Sequence, residues 1–400
     1  MIYGVALEGG GAKGAYHSGA LKALDEIGIS IGGVAGTSIG AINGAYYLQV
    51  GSQALIEFWE TLDPSYLFPE NLELIQERLK DERSEDVLGL LKEIRETIAS
   101  GGLSVDPFKE TLKRMIDEKV IRQSGKSFGL VTYSITDFKP VRIMLKDMEE
   151  GRLLDFLLAT AYLPGFKREK ISGKSYIDGG FYDNLPVNLL IENGFEHIIA
   201  IELLGKGLKK KAKKNCDLIT IKPSEDVGSL LNFQLSCSKK NIQMGYYDTL
   251  RVFNDYYGQW FYLSDIWSPN KAFDWMKTLS KEKIKRLCQV SGFKVLPSPR
   301  NIFEDFVPMW VELLKIPQKA NYNMILLYVL EFIGKVLEID RFKVLTMDKL
   351  VEEIQSHMTS HIMDDNQEEG VLTKRLKTTK IYAHLNKDEI ALEWGKILFD

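Results

Sequence analysis

Twice near its N-terminus this chain runs from a short apolar segment through a glycine-rich turn into a helix, and that repetition limits the fold more than any other feature. Ile2 to Leu7 is an apolar run of strand length, and Gly9-Gly10-Gly11-Ala12-Lys13-Gly14 follows at once. Ala20, Leu21 and Leu24 then fall on one face of a helix that ends near Gly28. A second strand, around Gly33 to Gly36, leads into Gly36-Thr37-Ser38-Ile39-Gly40 and a helix of small residues. Strand, loop, helix, strand, loop, helix is the βαβ pattern of a parallel sheet.

Beyond it, Glu57 to Lys126 reads as charged helices, as either a lid or an outer layer, with a break at Gly101-Gly102 and a new start at Asp106-Pro107. Strands are expected at Phe128 to Ile135, Val141 to Leu145, Ser175 to Ile177, Ile198 to Leu203 and Leu218 to Ile221. Leu153 to Tyr162 reads as a helix stopped by Pro164-Gly165, and Asn184-Leu185-Pro186 as a helix start. After about Ser224 amphipathic helices take over: Leu230 to Phe253, Glu282 to Val290, Asn323 to Leu337 and Met347 to His361. Asp364 to Gly370 is acidic and polar, the composition of a loop. The reading is a three-layer α/β/α sandwich with a mainly parallel sheet over residues 1–225 and a mostly α-helical region over 226–400. A chain of 400 residues suits two domains, at roughly 150 residues each.

Composition excludes several classes. Hydrophobic residues are 45% and charged residues 26%, as in soluble globular chains and unlike disordered or fibrous ones. The formal charge of −4 offers no global basic excess for nucleic acid. Cys216, Cys237 and Cys288 lie far apart, as free thiols of a reducing compartment do. The N-terminus reaches Glu8 before a signal segment forms, and the longest internal apolar run, Met324 to Leu330, is far short of the roughly 20 residues that span a bilayer. The expectation is a cytoplasmic protein, at most peripheral to a membrane.

The first glycine loop fits a dinucleotide fingerprint only superficially. Such a site needs a carboxylate at the end of the second strand, and Val34-Ala35-Gly36-Thr37-Ser38 has none. Nor is it a phosphate loop of the Walker type, since Ala15-Tyr16 stands where Lys-Ser/Thr belongs. Its glycines instead expose backbone N–H groups at a helix N-terminus, able to hold a phosphate or the oxyanion of an acyl intermediate. Gly36-Thr37-Ser38-Ile39-Gly40 favours the second: it is a G-x-S-x-G nucleophile elbow, with a strand before it and a helix after. A β-carbon at Gly36 or Gly40 would crowd that turn. A right-handed crossover sets both loops at one sheet edge, so oxyanion donors and nucleophile share a crevice.

A serine needs a base. His17 sits in the first helix, His197 at the wrong end of its strand, and His357, His361 and His384 in the helical region. Asp178, followed by Gly179-Gly180, ends a strand at the correct edge, where a carboxylate can take the Ser38 proton directly. For that it must be partly desolvated.

Together Glu8-Gly9-Gly10-Gly11-Ala12-Lys13-Gly14, Gly36-Thr37-Ser38-Ile39-Gly40 and Asp178-Gly179-Gly180, in that order, resemble the bacterial type of the patatin-like phospholipase family. The resemblance covers about Tyr3 to Leu204 and extends to Ala159-Thr160-Ala161-Tyr162-Leu163-Pro164-Gly165-Phe166 and to Phe181-Tyr182-Asp183-Asn184-Leu185-Pro186. It implies that Ser38 is the nucleophile, Asp178 the general base, and the amides of Gly9, Gly10, Gly11, Ala12, Lys13 and Gly14 the oxyanion hole. It implies no metal or organic cofactor and a phospholipid or other acyl-ester substrate. A general carboxylesterase or acyltransferase with the same dyad, or a non-catalytic lipid-binding protein, stays open. The family usually has Asp at Glu8 and Arg at Lys13, a departure that bears on the loop's side chains and not on its amides.

Two further features carry paired readings. Lys206, Lys209, Lys210, Lys211, Lys213 and Lys214 can dock an anionic lipid surface, or simply solvate a loop between strands, and the second is favoured. The aromatic run Tyr246 to Trp267 suits an acyl groove or membrane interface, or burial between two domains, and again the second is favoured.

Overall fold

The computed structural model describes residues 1–63, 105–162, 169–213, 216–293, 306–364 and 386–399. They form two compact units, Met1–Leu250 and Arg251–Asp400. The first opens with β1 (Tyr3–Leu7), a 3-10 turn at Gly11–Gly14, α1 (Ala15–Glu26), β2 (Ile31–Thr37) and α2 (Ile39–Thr61). It continues through α3 (Asp106–Met115), α4 (Glu118–Gln123), β3 (Ser127–Ser134), β4 (Lys139–Met144), α5 (Leu153–Thr160) and β5 (Tyr176–Asp178). Then come α6 (Val187–Glu192), β6 (His197–Ile201), β7 (Asp217–Ile221) and α7 (Leu235–Phe253).

Among the described residues these strands build one mixed sheet in the order β4-β3-β2-β1-β6-β7, with β5 beside β3. The pairs β1 with β2, β1 with β6, β2 with β3 and β6 with β7 are parallel, whereas β4 and β5 run antiparallel to β3. The central strands are buried on both faces, which is why they read as continuous apolar runs. Ala6, Ala35, Val131 and Ala200 pack with Val187, Leu189 and Leu190 of α6. On the other face Gly44 of α2 comes so close that a β-carbon there would meet Val34, Leu7 and Phe128. The result is the sandwich expected, a mainly parallel sheet between helical layers.

The helix α7 lies mostly in the first unit, past the residue 225 boundary of the sequence reading. Its backbone meets that of α1 through two glycines: a β-carbon on Gly19 would strike the Ile242 carbonyl, and one on Gly245 that of Tyr16. Beside this contact the Tyr16 hydroxyl donates to Asp248 at 3.0 Å.

The second unit is helical, with β8 (Tyr262–Asp265) and β9 (Val344–Thr346) paired in parallel. Its core includes Phe261, Trp267, Trp310, Leu327, Leu330 and Trp394. The aromatic run that ends at Trp267 therefore supplies core of this unit, with Phe261 and Tyr262 fully buried. No helix among the described residues is long and apolar enough to cross a membrane. The reading of residues 57–126 as a lid or outer layer rests largely on 64–104, which lie outside the described residues, as do Pro164-Gly165, Lys214 and 365–370.

Candidate active site

Ser38 is the single residue between β2 and α2, and its backbone is forced to φ 55°, ψ −128°. Only a tightly determined turn holds a non-glycine residue at such positive φ. The turn leaves no room for side chains around it. A β-carbon on Gly36 would strike the Ala41 nitrogen and the Gly40 carbonyl, and one on Gly40 would strike the Leu7 carbonyl. The Ser38 N–H donates to the Thr160 hydroxyl at 2.9 Å, which fixes the turn to α5. The side chain sits at the N-terminus of α2, whose dipole favours negative charge there.

Asp178 reaches this point by a route the sequence reading did not foresee. That reading placed it at the correct edge as the C-terminal end of a strand, without a direction for that strand, and β5 is antiparallel to β3. Asp178 pairs with Thr132, next to Val131, which in turn pairs with Thr37 at the end of β2. The antiparallel turn-back thus brings the end of β5 to the end of β2. There the Ser38 side chain lies beside the Asp178 carboxylate and pulls its pKa down. The Gly180 N–H donates to Oδ1 at 2.7 Å. Asp178 is only 4% exposed. Burial pushes its pKa up to about 6, against the pull of the Ser38 and Gly180 hydrogen bonds. A carboxylate poised there is ionised at neutral pH yet more basic than an exposed one, the compromise a general base needs. Gly179 allows the approach, since a β-carbon on it would strike the Val131 carbonyl.

The glycine loop's amides are not equivalent. Gly9 N–H donates to the Asn184 carbonyl at 3.0 Å, Ala12 N–H to that of Leu230 at 2.8 Å, and Lys13 N–H to that of Gly10 at 3.2 Å. Gly14 closes the 3-10 turn Gly11–Gly14. The amides of Gly10 and Gly11 have no acceptor among the described residues. Of the six loop residues expected to offer donors, these two are open, and Gly11, at φ 55°, lines the same cavity as Ser38.

Two side chains that hold this loop were misread or passed over in the sequence. Asn184 looked like a helix cap, but the cap position of α6 is Pro186. Asn184 instead donates from Nδ2 to the Gly9 carbonyl at 3.0 Å and to Glu8 Oε1 at 3.2 Å. Glu8 is fully buried and also accepts the Leu203 N–H at 2.6 Å and the Gly205 N–H at 3.1 Å. Lys209 Nζ stands 3.1 Å from Glu8 Oε1 and 3.0 Å from Glu202. The signal available in advance was a lone carboxylate directly after an apolar strand. Glu8→Ala leaves those amides without their acceptor and Lys209 with Glu202 alone, and the expected cost is about 3 kcal/mol in a urea unfolding curve.

The lysine loop is partly tied to the protein. Besides Lys209, Lys210 stacks over Tyr182 at 4.4 Å and Lys213 pairs with Glu192 at 3.2 Å. His17 is buried, and burial lowers its pKa to about 3 against the pull of the Ile201 carbonyl, so it is neutral. His197 pairs with Asp217 at the N-terminal end of β6, opposite the catalytic edge. His357 belongs to the second unit, and the side chains of His361 and His384 lie outside the described residues.

Ser38 opens on a cavity. Its lining is almost wholly apolar, including Ile39, Ile42, Phe58, Trp59, Phe108 and Met115. The site thus joins a hydroxyl beside a desolvated carboxylate, two open amides and an apolar chamber.

Comparison with known proteins gives the following likenesses. Residues 5–191 match the patatin-like phospholipase family. Patatin-like phospholipase domain-containing protein 6 of Mus musculus is 27% identical over 204 residues, covering 49% of this chain and 13% of its own length. Neuropathy target esterase sws of Drosophila melanogaster is 26% identical over 201 residues, 50% of this chain and 13% of its own length. The chain therefore spans a small part of the curated relatives it matches. Among solved structures, VipD from Legionella pneumophila aligns over 99% of this chain and 90% of its own at 15% identity, with a TM-score of 0.42. Over residues 5–191, just under half of the chain, the match is to the patatin-like phospholipase family.

Proposed function

We propose that this chain is a serine lipid acyl hydrolase of the phospholipase A or lysophospholipase type. The observation that carries the reading is the Ser38 side chain beside the buried Asp178 carboxylate, in the wall of an apolar cavity. Ser38 Oγ attacks the ester carbonyl carbon as Asp178 accepts its proton. The carbonyl oxygen takes up the negative charge, and the Gly10 and Gly11 amides stabilise it. Collapse of the intermediate breaks the bond to the leaving alcohol, which receives the proton from Asp178. Water then attacks the acyl-enzyme with Asp178 again as base, releasing the fatty acid and restoring Ser38. The apolar cavity supports a fatty acyl chain as the part of the substrate bound beside Ser38, at about 0.8 kcal/mol for each CH₂ removed from water.

The test is fatty-acid release from phosphatidylcholine vesicles whose two acyl chains differ. Free fatty acid appearing in step with lysophospholipid is the expected result, and the chain released identifies the position cut. Turnover of short soluble esters without release from vesicles would replace this reading with a general carboxylesterase. Transfer to an added alcohol that outruns hydrolysis would make it an acyltransferase. No turnover of any ester would contradict an enzymatic role.

A further inference from the structure

The cavity beside Ser38 is not built by the family-matched residues alone. Leu231 and Phe233, well beyond residues 5–191, line it as well. Their segment is secured to the glycine loop at both ends. At one end the Leu230 carbonyl accepts the Ala12 N–H at 2.8 Å, and Gly11 lies so close that a β-carbon on it would strike that carbonyl. At the other end the Phe233 ring is parallel to Trp59, with 2° between planes and 6.2 Å between centroids. Trp59 Nε1 donates to Asn43 Oδ1 at 3.1 Å, and Asn43 Nδ2 donates to the Gly14 carbonyl at 2.9 Å. Phe233 is 5% exposed and Trp59 1%. A ring held in this way is a rigid wall, since packed interiors resist displacement by even one methylene.

We propose that the segment Leu230–Phe233 determines substrate specificity, with Phe233 limiting the length of acyl chain that the cavity accepts; this rests on the acyl-hydrolase reading above. The ligand class is a saturated or unsaturated fatty acyl chain, whose carbonyl end lies at Ser38 and whose hydrocarbon lies against Phe233. Leu230 is a positioning residue. By engaging the Ala12 amide it shapes the loop so that the Gly10 and Gly11 amides stay open.

The experiment uses the full chain carrying Ser38→Ala, so that nothing is turned over. Cis-parinaric acid fluorescence reports occupancy of the cavity, and saturated fatty acids of increasing length compete for it. Affinity is expected to rise with length and then stop rising at a limit. Phe233→Ala moves that limit to longer chains and raises the ratio of long-chain to short-chain affinity about tenfold, within the range a few methylene contacts provide. Phe233→Leu serves in its place if the alanine variant does not fold, with a smaller shift in the same direction. Leu231→Trp, which fills space on the same segment, moves the limit to shorter chains. Profiles that match the parent in all variants, or no displacement at any length, would overturn the proposal. Ester turnover by the unmodified chain, measured separately, keeps the two readings apart. A shifted binding limit without turnover removes the hydrolase and leaves the wall, whereas turnover with an unshifted limit does the reverse.

Discussion

Ser38→Ala is expected to lower ester hydrolysis by about 10⁴-fold or more, with the circular dichroism spectrum and the unfolding midpoint close to those of the parent. Removing a nucleophile of this kind leaves only the rate supplied by oxyanion donors and substrate binding, which is why the loss has that size. The fold should survive because what holds the elbow is backbone. Thr160 receives the Ser38 N–H and not its hydroxyl, and the Gly36 and Gly40 contacts do not involve the side chain. A loss of activity accompanied by collapse of the unfolding midpoint would mean that the hydroxyl serves the structure. Retained activity would remove Ser38 from the mechanism.

Asp178→Asn comes second in expected size, at about 10⁴-fold in kcat/KM, by analogy with the loss seen when a buried carboxylate of a catalytic triad is made an amide. An amide still accepts the Gly180 N–H but cannot take up a proton. The pH dependence makes the role specific. With its pKa raised to about 6, Asp178 is protonated below that pH and cannot act as a base. The kcat/KM of the parent should therefore fall tenfold per pH unit below about 6 and be level just above it. An acid limb near the ordinary value of 3.8 would show that burial does not tune this group.

Stability carries the opposite sign. The folded state binds the Asp178 proton more tightly than the unfolded chain, so its contribution is fully present below pH 3.8 and is lost as pH rises through about 6. Above that, keeping the carboxylate ionised in the fold costs about 3 kcal/mol. Asp178→Asn is thus expected to match or exceed the parent in urea at pH 8. A site that gains stability when its base is neutralised is one whose strain serves chemistry.

The parts of the molecule that sequence revealed are those set by local pattern. The strands β1 and β2 with their following helices follow from apolar runs and glycines within a few residues of each other, and so does the turn at Ser38. The position of Asp178 was legible, but the reason for it was not. Its strand is too short to show whether it runs parallel, and the partner that decides, β3, is set by pairing between distant segments. Asn184 shows the same limit. A polar residue two before a proline fits a helix cap locally, yet its side chain is bound by Glu8 and Gly9 from the other end of the domain. Which loop amides stay open was likewise hidden, because it depends on the carbonyls of Asn184 and Leu230. Leu231 and Phe233 fell in the expected helix Leu230 to Phe253, which in the structure begins only at Leu235, and nothing in their spacing marked them as cavity wall.

The most direct measurement is to treat the protein with a fluorophosphonate and map the adduct by mass spectrometry. Such a reagent forms a phosphorus–oxygen bond to an activated serine and releases fluoride, so it reads nucleophile, base and oxyanion donors at once. The account predicts a single adduct on Ser38, absent in Ser38→Ala and formed far more slowly in Asp178→Asn and in the parent at pH 5. An adduct on another residue, or labelling of Ser38 at the parent's rate in Asp178→Asn, would contradict it.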